Sequence, residues 1–344
     1  MLPKCFGLDR AISALAPMQD VTDEGFMACI ASLGCPDFFI SEFFRVTQTS
    51  KLEPHILRAV LSKPQGRDVA AQLIGNDIPS IVRTIENLKA YEDIDCLDLN
   101  CGCPAPKVYK KNVGGSLLKE PKQIDAILKA MRKTWDKCLS VKMRIGFDND
   151  KNFLDILKVI EDNQVDFISL HCRTVTQLYR GVADYDYAKL AVESVDIPVI
   201  LNGDITSAKV ASNALEYTKA RGVMVGRSAI RNPWIFRQIN EAFSGKEIFQ
   251  PRFWQVREFI DSLRQNSLKS NCKIKYLDGR MKKFINFIAI SVDKEGNFLG
   301  EMRKAKGIDN LMQICDKYLL GENAEELFSL EPFPNLCARP NHED

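Results

Sequence analysis

Phe167-Ile168-Ser169-Leu170-His171-Cys172-Arg173-Thr174 starts as a short apolar run and ends in polar, chemically capable side chains. Seven other stretches share that design: Ile12–Met18, Asp37–Phe44, Asp68–Gly75, Asp95–Gly102, Leu139–Phe147, Pro198–Ile205 and Gly222–Ile230. Segments with helical periodicity, such as Ile78–Leu88 and Pro121–Thr134, lie between them. Continuous apolar runs alternating with helices read as parallel strands buried on both faces. Eight such units within the first 245 residues match the size of a (β/α)8 TIM barrel, with a doubly wound open sheet as the alternative.

The polar run ends favour the barrel. They read Pro17-Met18-Gln19-Asp20, Ser41-Glu42, Gln72, Asn100-Cys101-Gly102-Cys103, Lys142-Met143-Arg144, His171-Cys172-Arg173-Thr174, Asn202-Gly203-Asp204 and Gly226-Arg227. A barrel gathers all eight strand ends at one face, where such enzymes place their sites. Eight polar ends in succession therefore point to one shared pocket.

From about Gly245 the alternation stops and only helical patterns follow, as in Phe253–Leu263 and Tyr276–Ile290. The predicted organisation is a catalytic barrel over 1–245, a small all-helical domain over 246–330, and a polar, proline-containing tail over 331–344 that is expected to be disordered. Charge divides along the same lines. The whole chain carries 47 Lys and Arg against 45 Asp and Glu, which by itself suggests no polyanionic partner. Residues 246–320 alone carry a net +6, residues 1–245 about +1 and the remainder −5. The neutral total conceals a basic segment, densest at Lys273, Lys275, Arg280, Lys282 and Lys283.

Composition excludes several classes. The longest uncharged run, Gly25–Pro36, is 12 residues, far short of the roughly 18 needed to span a bilayer. The opening Met1-Leu2-Pro3-Lys4-Cys5 lacks the apolar core of a signal peptide, so a soluble, cytoplasmic protein is expected. Eleven cysteines contain no C-x-x-C spacing, and Cys101-x-Cys103 is too tight for a zinc knuckle, so no metal site is expected. No G-x-G-x-x-G follows any strand, which argues against a Rossmann nicotinamide domain.

Loops after the seventh and eighth strands are the recurrent phosphate site of this fold, and here they carry Asn202-Gly203-Asp204 and Gly226-Arg227. Lys142 has two readings on chemistry alone. It could form a Schiff base with a carbonyl substrate, or stay cationic beside the pyrimidine edge of a flavin. Alternation puts Arg173 on the same side as His171, suiting phosphate or a flavin edge. Cys103, mostly protonated at neutral pH, could serve as an acid.

These residues resemble the tRNA-dihydrouridine synthase family. Leu15-Ala16-Pro17-Met18-Gln19-Asp20-Val21-Thr22-Asp23 is similar to its opening A-P-M-x-x-V-T-D, and Asn100-Cys101-Gly102-Cys103-Pro104 to its N-x-G-C-P loop. Gly114-Gly115-Ser116-Leu117-Leu118, Val141-Lys142-Met143-Arg144, His171-Cys172-Arg173-Thr174, Asn202-Gly203-Asp204 and Gly226-Arg227 continue the series in order. Cys172 departs from the family's H-G-R-T, and Cys101 fills the variable position of its loop.

The resemblance implies reduction of the carbon 5–carbon 6 double bond of particular uridines in tRNA, with bound FMN as hydride donor and NADPH as a transient reductant. Carried over, flavin contacts fall on Ala16, Pro17, Met18, Gln72, Lys142, His171, Asn202, Gly203, Asp204, Gly226 and Arg227. Cys103 becomes the proton donor. Asn100, Arg173, Lys107, Lys110, Lys111, Lys273, Lys275, Arg280, Lys282 and Lys283 become the substrate and RNA contacts of a chain expected to act as a monomer. The rival reading is an FMN barrel acting on a free pyrimidine, similar to dihydroorotate dehydrogenase.

Overall fold

The computed structural model describes residues 3–270 and 272–331; the tail expected to be disordered lies, beyond Glu331, outside the described residues. Nine strands form one all-parallel sheet: β1 (Ile12–Leu15), β2 (Phe38–Ile40), β3 (Phe44–Arg45), β4 (Val69–Ile74), β5 (Cys96–Cys101), β6 (Cys138–Arg144), β7 (Phe167–His171), β8 (Val199–Asn202) and β9 (Gly222–Val225). β9 pairs with β1, and β2 pairs with both β1 and β4, so the sheet closes on itself. Every predicted run supplies barrel strand. The second run supplies two, because Ser41-Glu42-Phe43 leaves the ladder between β2 and β3. There the Ser41 hydroxyl donates to the Glu42 carbonyl at 2.8 Å and accepts the Gln72 N–H at 3.2 Å, bending the chain out of register.

Side chains alternate across a strand, and the inward set grades from apolar to polar along the barrel axis. At the base lie Ile12, Phe38, Cys96, Cys138, Phe167 and Ile200, all buried. A short 3-10 turn, Lys4–Gly7, brings Phe6 into this floor, with its ring 4.9 Å from Phe167 and 5.9 Å from Phe38. Two residues further along each strand the inward positions become Asp98, Ser140 and Ser169, and two further again Asn100, Lys142 and His171.

The described residues pack as two compact units. The first holds all nine strands. The second comprises 24–35, 206–209 and 227 onward, so the division falls at Gly226 rather than at residue 245, and it takes in a helix expected to belong to the barrel. That helix, Glu24–Gly34, lies against Phe253–Lys269. Gly25 permits the close approach, since a Cβ there would sit 2.9 Å from the Asn266 carbonyl oxygen. Phe26 stacks on Phe284 of the helix Ile274–Val292 at 5.3 Å. Ile235–Phe243, Asn297–Lys304 and Gly307–Leu319 are further helices of this unit.

Candidate active site

The opening loop after β1 is held by Thr22. Its hydroxyl accepts the Met18 N–H at 2.7 Å and donates to the Met18 carbonyl at 3.0 Å, fixing Ala16-Pro17-Met18 at the barrel mouth. Gly226, at the end of β9, adjoins this loop. A Cβ there would meet only Ala16 Cβ and Met18 Sδ, each at 3.8 Å, so the wall here is low. Arg227 follows directly and opens the short helix Ser228–Arg231.

Across the mouth, Gln72, Asn100, Lys142, His171 and Asn202 all end on inward positions, as expected from sequence. Lys142 Nζ donates to Asn202 Oδ1 at 3.3 Å, and Asn202 Nδ2 donates to the Met224 carbonyl at 2.8 Å. Burial and the nearby Arg144 guanidinium push the Lys142 ammonium down to about 8, against the pull of Asp98 and Cys103. Below it lies a carboxylate that the sequence reading did not single out. Asp98 is fully buried and accepts from Gln72 Nε2 at 2.7 Å and Ser140 Oγ at 2.6 Å. Burial raises its carboxyl to about 6, moderated by those two hydrogen bonds and by Lys142. Alternation held the signal for it: Asp98 shares a face with Asn100.

The Cys103 loop is tied at three points. Asn100 Oδ1 accepts the N–H groups of Gly102 and Cys103 at 3.0 and 2.9 Å, and the Cys103 carbonyl accepts the Gly115 N–H at 3.2 Å. Arg144, also absent from the predicted site, donates to the Gly102 carbonyl at 3.1 Å and to the Thr174 and Leu178 carbonyls at 2.7 Å each. One buried guanidinium thus joins the loops after β5 and β7.

The loop after β8 has a different construction from the one expected. Gly203 adopts φ +119°, and a Cβ would fall 2.9 Å from Ala183 Cβ, so glycine is required. Asp204, also left-handed at φ +48°, accepts from Arg173 Nη2 at 2.6 and 2.8 Å and from the Ala183 N–H at 2.8 Å. Arg173 is 2% exposed and also donates to the Arg180 and Gly181 carbonyls. It is a buried clamp on this loop, not an open RNA contact. The alternation argument fails because β7 stops at His171 and the chain bends through Cys172 and Arg173. Cys172 and Cys101 are both buried, and burial pushes both thiols up, leaving Cys103 as the partly exposed thiol of this site.

The predicted cations also separate. Lys107, Lys110 and Lys111 are exposed on and just after the turn of helix Pro106–Tyr109. Lys273 and Lys275 are exposed at the start of the helix Ile274–Val292, beside an exposed Tyr276. Arg280 instead donates to Ser267 Oγ at 2.9 Å and packs over Phe284, and Lys282 donates to the Arg303 and Ala305 carbonyls. Helical spacing turns these two toward their own unit, and Lys283 is likewise half-buried. Among the described residues no group of side chains could hold a metal ion, and no helix is long and apolar enough to cross a membrane.

The family described as Dihydrouridine synthase (Dus) matches residues 14–319. The chain belongs to that family. A tRNA-dihydrouridine synthase B of Vibrio parahaemolyticus is 36% identical over 231 residues, 66% of this chain and 70% of the relative. One of Yersinia pestis is 33% identical over 252 residues, 72% of this chain and 77% of the relative. Among solved structures, a 2-naphthoyl-CoA reductase complex overlays with a TM-score of 0.53 at 12% identity, covering 68% of this chain and 50% of that one. That likeness concerns the fold alone. Membership of the Dus family decides against the free-pyrimidine alternative.

Proposed function

We propose that this dihydrouridine synthase reduces uridine in tRNA, with FMN seated at the barrel mouth, NADPH as reductant and Cys103 as proton donor. The observation that carries this reading is the convergence of Lys142, His171, Asn202 and the tethered Cys103 loop on one mouth, in a chain of this family. The residues fit a flavin. Lys142 offers a cation between strands, Ser169 Oγ is buried without a hydrogen-bond partner among the described residues, and Gly226 leaves space above Ala16. Ala16, Pro17, Met18, Gln72, Lys142, His171, Asn202, Gly203, Gly226 and Arg227 would hold it. Asp204 would act through the loop that it shapes. When bound, FMN supplies hydride to carbon 6 of the uracil.

Cys103 then has a defined task. Hydride addition builds negative charge at carbon 5 and its enolate oxygen, and a thiol can give carbon 5 its proton. The target base leaves its stack to reach the mouth. On this reading the enzyme works beside its tRNA substrate, in the cytoplasm. The test is to purify the protein and supply NADPH with tRNA from a strain lacking the gene. A yellow protein that forms dihydrouridine at mapped positions is expected. A colourless protein, or a yellow one that leaves uridine intact, would overturn the reading.

RNA affinity should be strongly salt-dependent. If Lys107, Lys110, Lys111, Lys273 and Lys275 each neutralise one phosphate, log Kd should change with log salt at a slope of about 4. Filter binding across a salt series measures it. Replacing Lys273 and Lys275 with alanine should lower the slope by about 2, whereas replacing the internally bonded Lys282 should leave it nearly unchanged. A flat salt series would remove these lysines from the interface.

A further inference from the structure

We propose that Asp98 is a positioning residue that sets the Cys103 loop through two amide side chains, Gln72 and Asn100. This rests on the reading of Cys103 as proton donor, but the geometry that motivates it is independent of that role. Gln72 Nε2 donates to Asp98 Oδ2 at 2.7 Å; Asn100 Nδ2 donates to Gln72 Oε1 at 2.8 Å; Asn100 Oδ1 accepts the Gly102 and Cys103 N–H groups. Asp98 and Gln72 are fully buried and Asn100 is 7% exposed, so water does not compete for these groups.

The direction of the chain of bonds is fixed at its buried end. An amide has one donor end and one acceptor end, so either Gln72 or Asn100 could face two ways by itself. An ionised carboxylate only accepts. Asp98 therefore obliges Gln72 to present its nitrogen downward and its oxygen to Asn100. Asn100 must then present its nitrogen to Gln72 and its oxygen to the loop. Turned round, Asn100 would set a donor against two donors, and both loop N–H groups would lose their acceptor. Such a buried network is worth having only when every member is satisfied. Ser140 assists by occupying Asp98 Oδ1 at 2.6 Å, which leaves Oδ2 for Gln72.

The test reverses the polarity in the flavin-loaded full-length protein. Asn100→Asp places a second carboxylate at the other end of Gln72, whose single nitrogen cannot serve both. Amide hydrogen exchange at Gly102 and Cys103 should accelerate about tenfold or more, because the Asn100 position loses its anchor. Adding Asp98→Asn lets residue 98 donate to Gln72 Oε1 and Gln72 donate to the carboxylate at 100, restoring every bond. Exchange in the double variant should return to within about threefold of the parent. Both substitutions are isosteric, so the pair should fold.

Asp98→Leu, which offers nothing to Gln72, should slow dihydrouridine formation at least tenfold in single turnovers of the flavin-loaded, pre-reduced fraction, with rates counted per bound flavin. Asp98→Asn alone, which keeps an acceptor, should rescue it. A double variant that exchanges as fast as Asn100→Asp would overturn the proposal, as would an Asp98→Leu protein with parental exchange at Gly102 and Cys103. Restored exchange without dependence of uridine reduction on Cys103 would instead uphold the positioning role and fault the proton-donor reading.

Discussion

Cys103→Ala is expected to lose dihydrouridine formation by about 10²- to 10⁴-fold, the usual worth of a positioned general acid. The same protein should keep its fold, its flavin and its oxidation of NADPH. The variant keeps the ties of the Cys103 backbone to Asn100 and Gly115, which hold the loop. Loss should appear in turnover with tRNA and not in RNA affinity. Single-turnover measurement with pre-reduced enzyme isolates that step from the NADPH reaction. Undiminished product in Cys103→Ala would assign the proton to another group.

Lys142→Met should abolish efficient turnover and yet stabilise the flavin-free protein at pH 7 by about 2 kcal/mol. Lys142 falls from 10.5 to about 8 on folding. Its native form binds fewer protons than its unfolded form between those values, so stability rises as pH climbs from 8 to 10.5, and the full penalty applies below 8. A shift of this size corresponds to roughly 3 kcal/mol. Met leaves Asn202 Oδ1 without its donor, which returns about 1 kcal/mol. Asp98 adds the opposite limb. Its carboxyl rises from 3.8 to about 6, so the native state is favoured below 3.8 and that advantage is lost as pH rises through 6. The flavin-free protein should therefore be least stable between about pH 6 and 8, where both groups are charged. Urea melts across pH give the profile, and the rise above pH 8 should vanish in Lys142→Met. A variant less stable than the parent at pH 7 would show that Lys142 is not held at a cost.

Much of the barrel was legible because buried parallel strands announce themselves as apolar runs, and the strand ends carried their polar residues openly. What alternation could predict depended on the strand continuing. The polar strand ends alone put Lys142 and Asn202 at the mouth, and alternation was asked only to orient Arg173. It misplaced Arg173, because the pleat ends at His171 and the side chain then swings to Asp204. Asp98 was obscured by its apolar neighbours Leu97 and Leu99, although it lies two residues before Asn100 and so on the same face of the strand. The helix Glu24–Gly34 lies in a stretch that the sequence showed only as its longest uncharged run, with nothing to say which partner would cover it. The answer lies about 240 to 260 residues away, at Asn266 and Phe284. The basic segment was visible as a count of charges. Only the packing distinguishes Lys273 and Lys275, open to solvent, from Lys282, whose charge is absorbed by carbonyls of its own unit.

Phe6, set against Phe38 and Phe167, caps a barrel whose lower interior is already filled by side chains, so the barrel is a cup and not a tube. A cup has one opening. On the proposed reading, nicotinamide and uracil must each come to the same opening, so neither can wait inside for the other. The two half-reactions are separated in time by the architecture of the floor. Crowding the enzyme with RNA should then slow its recharging, a queue imposed by a closed floor whose three phenylalanine rings are drawn from across about 160 residues of the chain.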